Sequence, residues 1–178
     1  ASDAKGLLKM ACRMNDPVIF MEHKGLYRQG YASSEEPDAD YLLPFGKGRI
    51  VTNGNELTII TWGAMVQKSI ESLQALGLAD EEVEIIDLRT LNPIDMNLIE
   101  SSIQKTGKVL IVHEDNLTNG PGAEIAALIT DAFFELLDGP IRRVAAKDSP
   151  IPFNWFLEEK ILPQTEDIIN AIKEIMEY

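Results

Sequence analysis

The apolar positions of this chain fall into two regimes, with the change near residue 46. In the first 30 residues the pattern is thin. Leu7, Leu8 and Ala11 lie near one face of a short helix, which Ser2 is placed to cap with Asp3 in its first turn. Asn15-Asp16-Pro17 ends that helix, because proline disfavours the α conformation before it and has no N–H to donate. Val18-Ile19-Phe20-Met21 then reads as a buried strand. One helix and one strand cannot enclose a core, so this unit must pack on something else. Residues 31–45, with Ser33-Ser34-Glu35-Glu36-Pro37-Asp38 at their centre, carry no apolar period and read as a surface linker.

From Gly46 onward the pattern is regular. Gly48–Thr52 and Leu57–Trp62 read as strands joined by a hairpin turn at Asn53-Gly54-Asn55. A helix with Val66, Ile70 and Leu73 inward ends near Gly77. Val83–Leu88 is a buried strand. Pro93 and Asp95 open a helix carrying Ile99 and Ile103, and Gly107 closes it. Val109–Val112 is a further strand. After Asn119-Gly120-Pro121-Gly122 comes a helix with Ile125, Leu128, Ile129, Ala132, Phe133 and Leu136 inward, ended by Gly139-Pro140. Ile141–Ala145 is the last strand, and a final helix starts near Thr165 with Glu166 and Asp167 in its first turn. Strands alternating with helices predict right-handed crossovers. The expected fold is α/β: a three-layer domain with a mostly parallel five-stranded sheet, one of whose edge strands is antiparallel.

Composition narrows the functional classes. The chain has 178 residues, 16 Lys and Arg against 29 Asp and Glu, and a net charge of −13. That surplus repels phosphate backbones and argues against nucleic acid, while leaving room for a basic protein partner. The single cysteine, Cys12, forms no internal disulfide and reads as a small buried hydrophobe. No basic-then-apolar leader and no long apolar run is present, so a soluble, cytoplasmic chain without membrane contact is expected.

Open α/β sheets bind ligands at the carboxyl ends of their strands, which directs attention to the loops after Trp62, Leu88, Val112 and Ala145. Asn119-Gly120-Pro121-Gly122 is either a flexible helix entry or an anion cradle; it has no P-loop lysine, and Pro121 lacks an N–H. His113-Glu114-Asp115 offers either a general base or a structural histidine, and His23 in Glu22-His23-Lys24 has the same two readings. Asp87-Leu88-Arg89-Thr90 places a charged pair at a strand end, either to hold a ligand or to tie the loop to the next helix. No Gly-x-Ser-x-Gly elbow exists, and no complete catalytic set is present.

Asp87-Leu88-Arg89-Thr90-Leu91-Asn92-Pro93-Ile94-Asp95 resembles the D-L-R-T-L-x-P-x-D signature of the β subunit of thiamine-diphosphate-dependent 2-oxo acid dehydrogenases, the decarboxylating first components of the pyruvate and branched-chain complexes. Residues 16–24 with Leu26-Tyr27-Arg28, Thr61-Trp62-Gly63-Ala64-Met65-Val66, Lys105–Val109, His113-Glu114, Gly122–Ala126, Pro140–Val144, Asp148–Phe153 and Leu162-Pro163 agree in order. The resemblance implies the C-terminal half of that subunit: 1–30 the end of a pyrimidine-binding domain, 31–45 a linker, and 46–178 a transketolase-type C-terminal domain. It implies an oxidoreductase segment that is inert alone, because the family's activating glutamate and active-site histidine lie upstream. Thiamine diphosphate and magnesium would then bind outside this chain, so no catalytic or cofactor-binding residue is assigned to it. A partial potassium site at Ala11, Cys12, Met14 and Asp16 is implied, although the family usually has an acid at position 14 and an asparagine at 16. The implied partners are an α subunit or fused α half, a second β subunit, and the acyltransferase's basic peripheral subunit-binding domain, docked through Glu166, Asp167, Glu174 and Glu177. The alternatives are a transketolase-like or deoxyxylulose-phosphate-synthase-like domain, and a binding module with no enzyme behind it.

Overall fold

The computed structural model describes residues 1–78 and 81–178. Five strands form one sheet: β1 (Arg49–Thr52), β2 (Leu57–Thr61), β3 (Val83–Asp87), β4 (Val109–Asn116) and β5 (Arg142–Ala146), in the order β1-β3-β2-β4-β5. All pairs are parallel except β1 with β3, which gives the expected antiparallel edge. The expected hairpin does not form. β3 lies between β1 and β2, because the 53–56 segment turns onto the start of β3: the Asn55 and Glu56 amides donate to Glu81 O and Glu82 O. Gly54 lies so close to the Val83 backbone that a Cβ would stand 2.3 Å from it.

Odd and even strand positions divide cleanly between two cores, as a sheet covered on both faces requires. Leu57, Ile59, Val83, Ile85, Leu110 and Val112 face α2 (Ala64–Leu76) and α6 (Thr165–Met176). Ile60, Ile86, Leu88, Val109 and Ile111 face α3 (Met96–Thr106) and α4 (Pro121–Phe133). Each fully buried isoleucine or leucine contributes about 1.5–3 kcal/mol, which makes these two layers the main source of stability. Thr58 and Thr61 are the polar exceptions in β2: the Thr58 hydroxyl is satisfied by Ser102 at 2.6 Å and Thr106 at 2.7 Å of α3, and Thr61 donates to Val112 O at 2.9 Å.

Local signals placed the helix ends. Asp95 caps α3 by accepting from Leu98 N, and Gly77 and Gly107 end α2 and α3 with positive φ. Two helix faces differ from expectation. α2 turns Met65, Ser69, Ser72 and Leu73 fully inward and leaves Val66 and Ile70 half-buried. α4 buries Gly122, Ile125 and Ile129, while Leu128 and Ala132 lie on its open side. A short α5 (Trp155–Glu158), capped by Asn154, was not anticipated.

The N-terminal part departs most. Helix α1 (Ser2–Ala11) forms, but Ser2 is its first residue and Ala1 takes the cap position without a side-chain bond. Residues 18–21 pair with no strand among the described residues, and Ile19 and Met21 are largely exposed, so the expected buried strand is not formed. An apolar strand is buried only when neighbours flank it, and none of the described strands flanks this segment. The 31–45 segment runs back along α1. Ser34 Oγ accepts from the Ser2 amide, Lys5 reaches Glu36 and Pro37 O, and Tyr41 and Leu43 close over Gly6.

Candidate functional site

β2 leads through α2 to β3 on one side, and β4 leads through α4 to β5 on the other. The topological switch point therefore lies between the carboxyl ends of β2 and β4, where such sheets open a ligand crevice. Trp62 and His113 stand at that point. Their rings are stacked with centroids 5.4 Å apart and 5° between planes. His113 is fully buried. Gly120 and Gly122 admit its ring: a Cβ on Gly122 would lie 2.3 Å from His113 Nε2, and one on Gly120 3.0 Å from Cε1. The Gly-Pro-Gly stretch is thus a helix entry shaped to the imidazole, and the crevice is filled by the domain's own side chains.

Neither nitrogen of His113 has a hydrogen-bond partner among the described residues. Burial depresses its pKa, against the pull of Asp115, so the ring is neutral near pH 7. A general base must reach the proton it takes, and this ring has no open approach. Glu114, on the opposite side of the strand, instead meets His23 Nε2 at 3.0 Å. The two histidine-bearing motifs come together through Glu114, not through a shared site.

The Asp87–Arg89 pair has a role that neither reading supplied. Arg89, at φ 59°, turns its guanidinium to α1. Its Nε and Nη2 meet the two carboxylate oxygens of Asp3 at 3.2 and 3.1 Å, a bidentate pair. Asp87 accepts from the Arg89 amide and from Arg49 Nη2, and Arg49 also approaches Asp3 at 3.5 Å. Burial raises the Asp87 carboxyl above its usual range, with Arg49 opposing the shift. This quartet fastens the N-terminal helix to the rim. Asp3 gave no sequence signal beyond its place in a first helical turn, so its pairing could not be anticipated.

Ala11, half-buried, ends α1, and Cys12, Met14 and Asp16 lie in the exposed turn after it, where the Ala11 carbonyl accepts from the Met14 amide at 3.1 Å. Cys12 is exposed, correcting its reading as a buried hydrophobe. Among the described residues no cluster of three or more His, Cys, Asp or Glu could hold a metal ion. None of their helices is long and apolar enough to cross a membrane.

Residues 46–168 match the family described as "Transketolase, C-terminal domain". The chain belongs to that family. It is 42% identical over 176 residues to "Pyruvate dehydrogenase E1 component subunit beta" of Staphylococcus aureus (strain Mu50 / ATCC 700699), and 40% identical to the protein of that name from Staphylococcus epidermidis (strain ATCC 35984). Each alignment covers 99% of this chain and 53% of the relative, so the chain spans about half the length of these relatives. A solved structure titled "Split gene transketolase, inactive beta4 tetramer" superposes with a TM-score of 0.65 over 79% of this chain and 44% of its own, at 24% identity, which supports the shared fold.

Proposed function

We propose that this chain is the assembly segment of a thiamine-diphosphate-dependent 2-oxo acid dehydrogenase, the component that decarboxylates a 2-oxo acid and passes the acyl group to a lipoyl-acyltransferase. The observation that carries this reading is the identity of about two residues in five, along nearly the whole chain, to pyruvate dehydrogenase β subunits. Pyruvate is accordingly the first substrate to test. The filled crevice supports the division of labour. With Trp62 and His113 packed together at the switch point, the residues present do not fit thiamine diphosphate, and no step of the reaction is assigned to them.

In this reading residues 1–30 close a pyrimidine-binding domain, 31–45 link it to the C-terminal domain at 46–178, and the whole acts in the cytoplasm. The cofactor and its magnesium are held by the rest of the enzyme. A potassium ion at the Ala11–Asp16 turn belongs to the same proposal, with its remaining ligands supplied from outside the chain. The partners are an α subunit or fused α half, a second β copy, and the acyltransferase's subunit-binding domain on the acidic face of α6.

The test is reconstitution. The complete β polypeptide, assembled with its α partner, is assayed with pyruvate, branched-chain 2-oxo acids and acetoin. Thiamine-dependent turnover of a 2-oxo acid supports the reading, and turnover of ketose phosphates alone overturns it. This chain by itself is expected to bind no thiamine diphosphate at micromolar concentration by calorimetry.

A further inference from the structure

Little in the sequence of α1 would keep it helical by itself. It has ten residues, a length that is marginal for a helix in water. Ala1 takes the cap position without a side-chain bond, and Gly6, a poor helix former, stands in the middle. Gly6 is also the one residue of the ten that is buried, so α1 has no apolar face of its own in a core. Its order has to come from outside the helix.

The segment from Ser34 to Leu43 meets α1 turn by turn. Ser34 Oγ accepts from the Ser2 amide at 2.8 Å, which satisfies one of the amides that a helix start leaves unpaired. One turn on, Lys5 Nζ donates to Glu36 Oε1 at 2.9 Å and to Pro37 O at 2.8 Å. A further turn on, Lys9 Nζ donates to Ala39 O. Positions 2, 5 and 9 lie along one side of a helix, and their partners at 34, 36 and 39 follow in the same order. The segment then folds back, with the Tyr41 amide donating to Asp38 O at 3.1 Å. Tyr41 and Leu43 come to rest on Gly6, so closely that a Cβ there would stand 2.6 Å from Tyr41 Cε1 and 2.8 Å from Leu43 Cβ. Only glycine admits this seat.

We infer that residues 34–43 are an ordering strap for α1. With the strap seated, α1 is helical and presents Asp3 to Arg89 at the rim. With the strap lifted, α1 frays and the N-terminal part loses its hold on the sheet domain. The stretch that reads in the sequence as a passive linker is thus a conformational control on that attachment. The inference goes beyond the proposed function, since it holds whichever reaction the parent enzyme performs.

Gly6→Ala separates this device from a helix that stands alone, because the two give opposite signs. Alanine is the better helix former, so a self-standing α1 would gain protection from amide exchange. In the strapped helix the new methyl group displaces Tyr41 and Leu43, and the amides of residues 2–11 are expected to exchange about tenfold faster. Hydrogen exchange of the chain at neutral pH, read by mass spectrometry, measures it. Ser34→Ala/Glu36→Gln alters the strap alone and is expected to speed exchange in α1 about tenfold, while β2, β3 and β4 keep their protection. Glu35→Gln, the same change of charge one residue away, is expected to leave α1 as it was.

Equal or slower exchange of α1 in Gly6→Ala overturns the inference. So does unchanged exchange of α1 in the double variant, because the strap then lies on a helix that does not need it. Acceleration that reaches the sheet equally, or that Glu35→Gln reproduces, also overturns it, since general destabilisation or net charge then suffices.

Discussion

The imidazole of His113 lies flat against the indole of Trp62, 5.4 Å from centroid to centroid, at the point where the sheet's connections diverge. A neutral, buried, unpartnered imidazole resists protonation. As pH falls below the ordinary histidine value of 6.5, the unfolded chain takes up a proton that the folded chain refuses. Stability attributable to this residue is therefore full above that value and declines below it. Thermal melts at pH 7.5 and 5.5 should show a drop in Tm that is smaller in His113→Leu. An identical drop in both proteins would assign the acid sensitivity elsewhere.

Gly122→Ala should be among the costlier single changes in the domain, at about 1–3 kcal/mol, because the new methyl group meets His113 Nε2 at 2.3 Å inside a packed crevice. Chemical denaturation measures it. Combining it with His113→Ala should recover part of the loss, since the same space is then vacated. Strict additivity of the two changes would mean that the contact is not the cause.

Glu84 is buried in β3, with Lys105 of α3 as its ionic partner. Lys105→Met is expected to cost about 3 kcal/mol by stranding the carboxylate, more than Glu84→Gln, which removes the charge and keeps the shape. Urea unfolding of both variants at pH 7 orders them, and the reverse order would refute the pairing as a determinant of stability.

Asp3→Asn weakens a bidentate, largely buried ion pair with Arg89, so the expected global loss lies between the about 1 kcal/mol of an exposed pair and the about 3 kcal/mol of a buried one. The local consequence is larger. Amide exchange should speed up across 1–45 while β2, β3 and β4 keep their protection. Uniform acceleration over the whole chain would show that the N-terminal part is no separable unit.

How far the sequence reached depended on the range of each interaction. The Asp95 cap, the glycine ends of α2 and α3, and the apolar runs of β2, β3 and β4 depend on neighbours a few residues away, and all were legible. Asn53-Gly54-Asn55 has the chemistry of a tight turn, yet strand order is decided by β3, some thirty residues on, and β3 took the place the hairpin partner would have filled. Residues 18–21 have strand composition yet pair with none of the described strands. At the rim, the position of the site could be named from topology, but the stacking of Trp62 on His113 and the reach of Arg89 to Asp3 join positions 51 and 86 residues apart. No local pattern encodes such a meeting.

The apolar side chains displayed by Ile19, Met21, Phe153 and Trp155 have a colloidal consequence. At neutral pH the surplus of 13 negative charges opposes their non-specific aggregation. Near the isoelectric point of about 4.5 that repulsion vanishes while the exposed apolar area stays the same. The chain is then a sticky particle with no electrostatic barrier, and its solubility minimum at mild acidity is a direct readout of how much apolar surface is left uncovered.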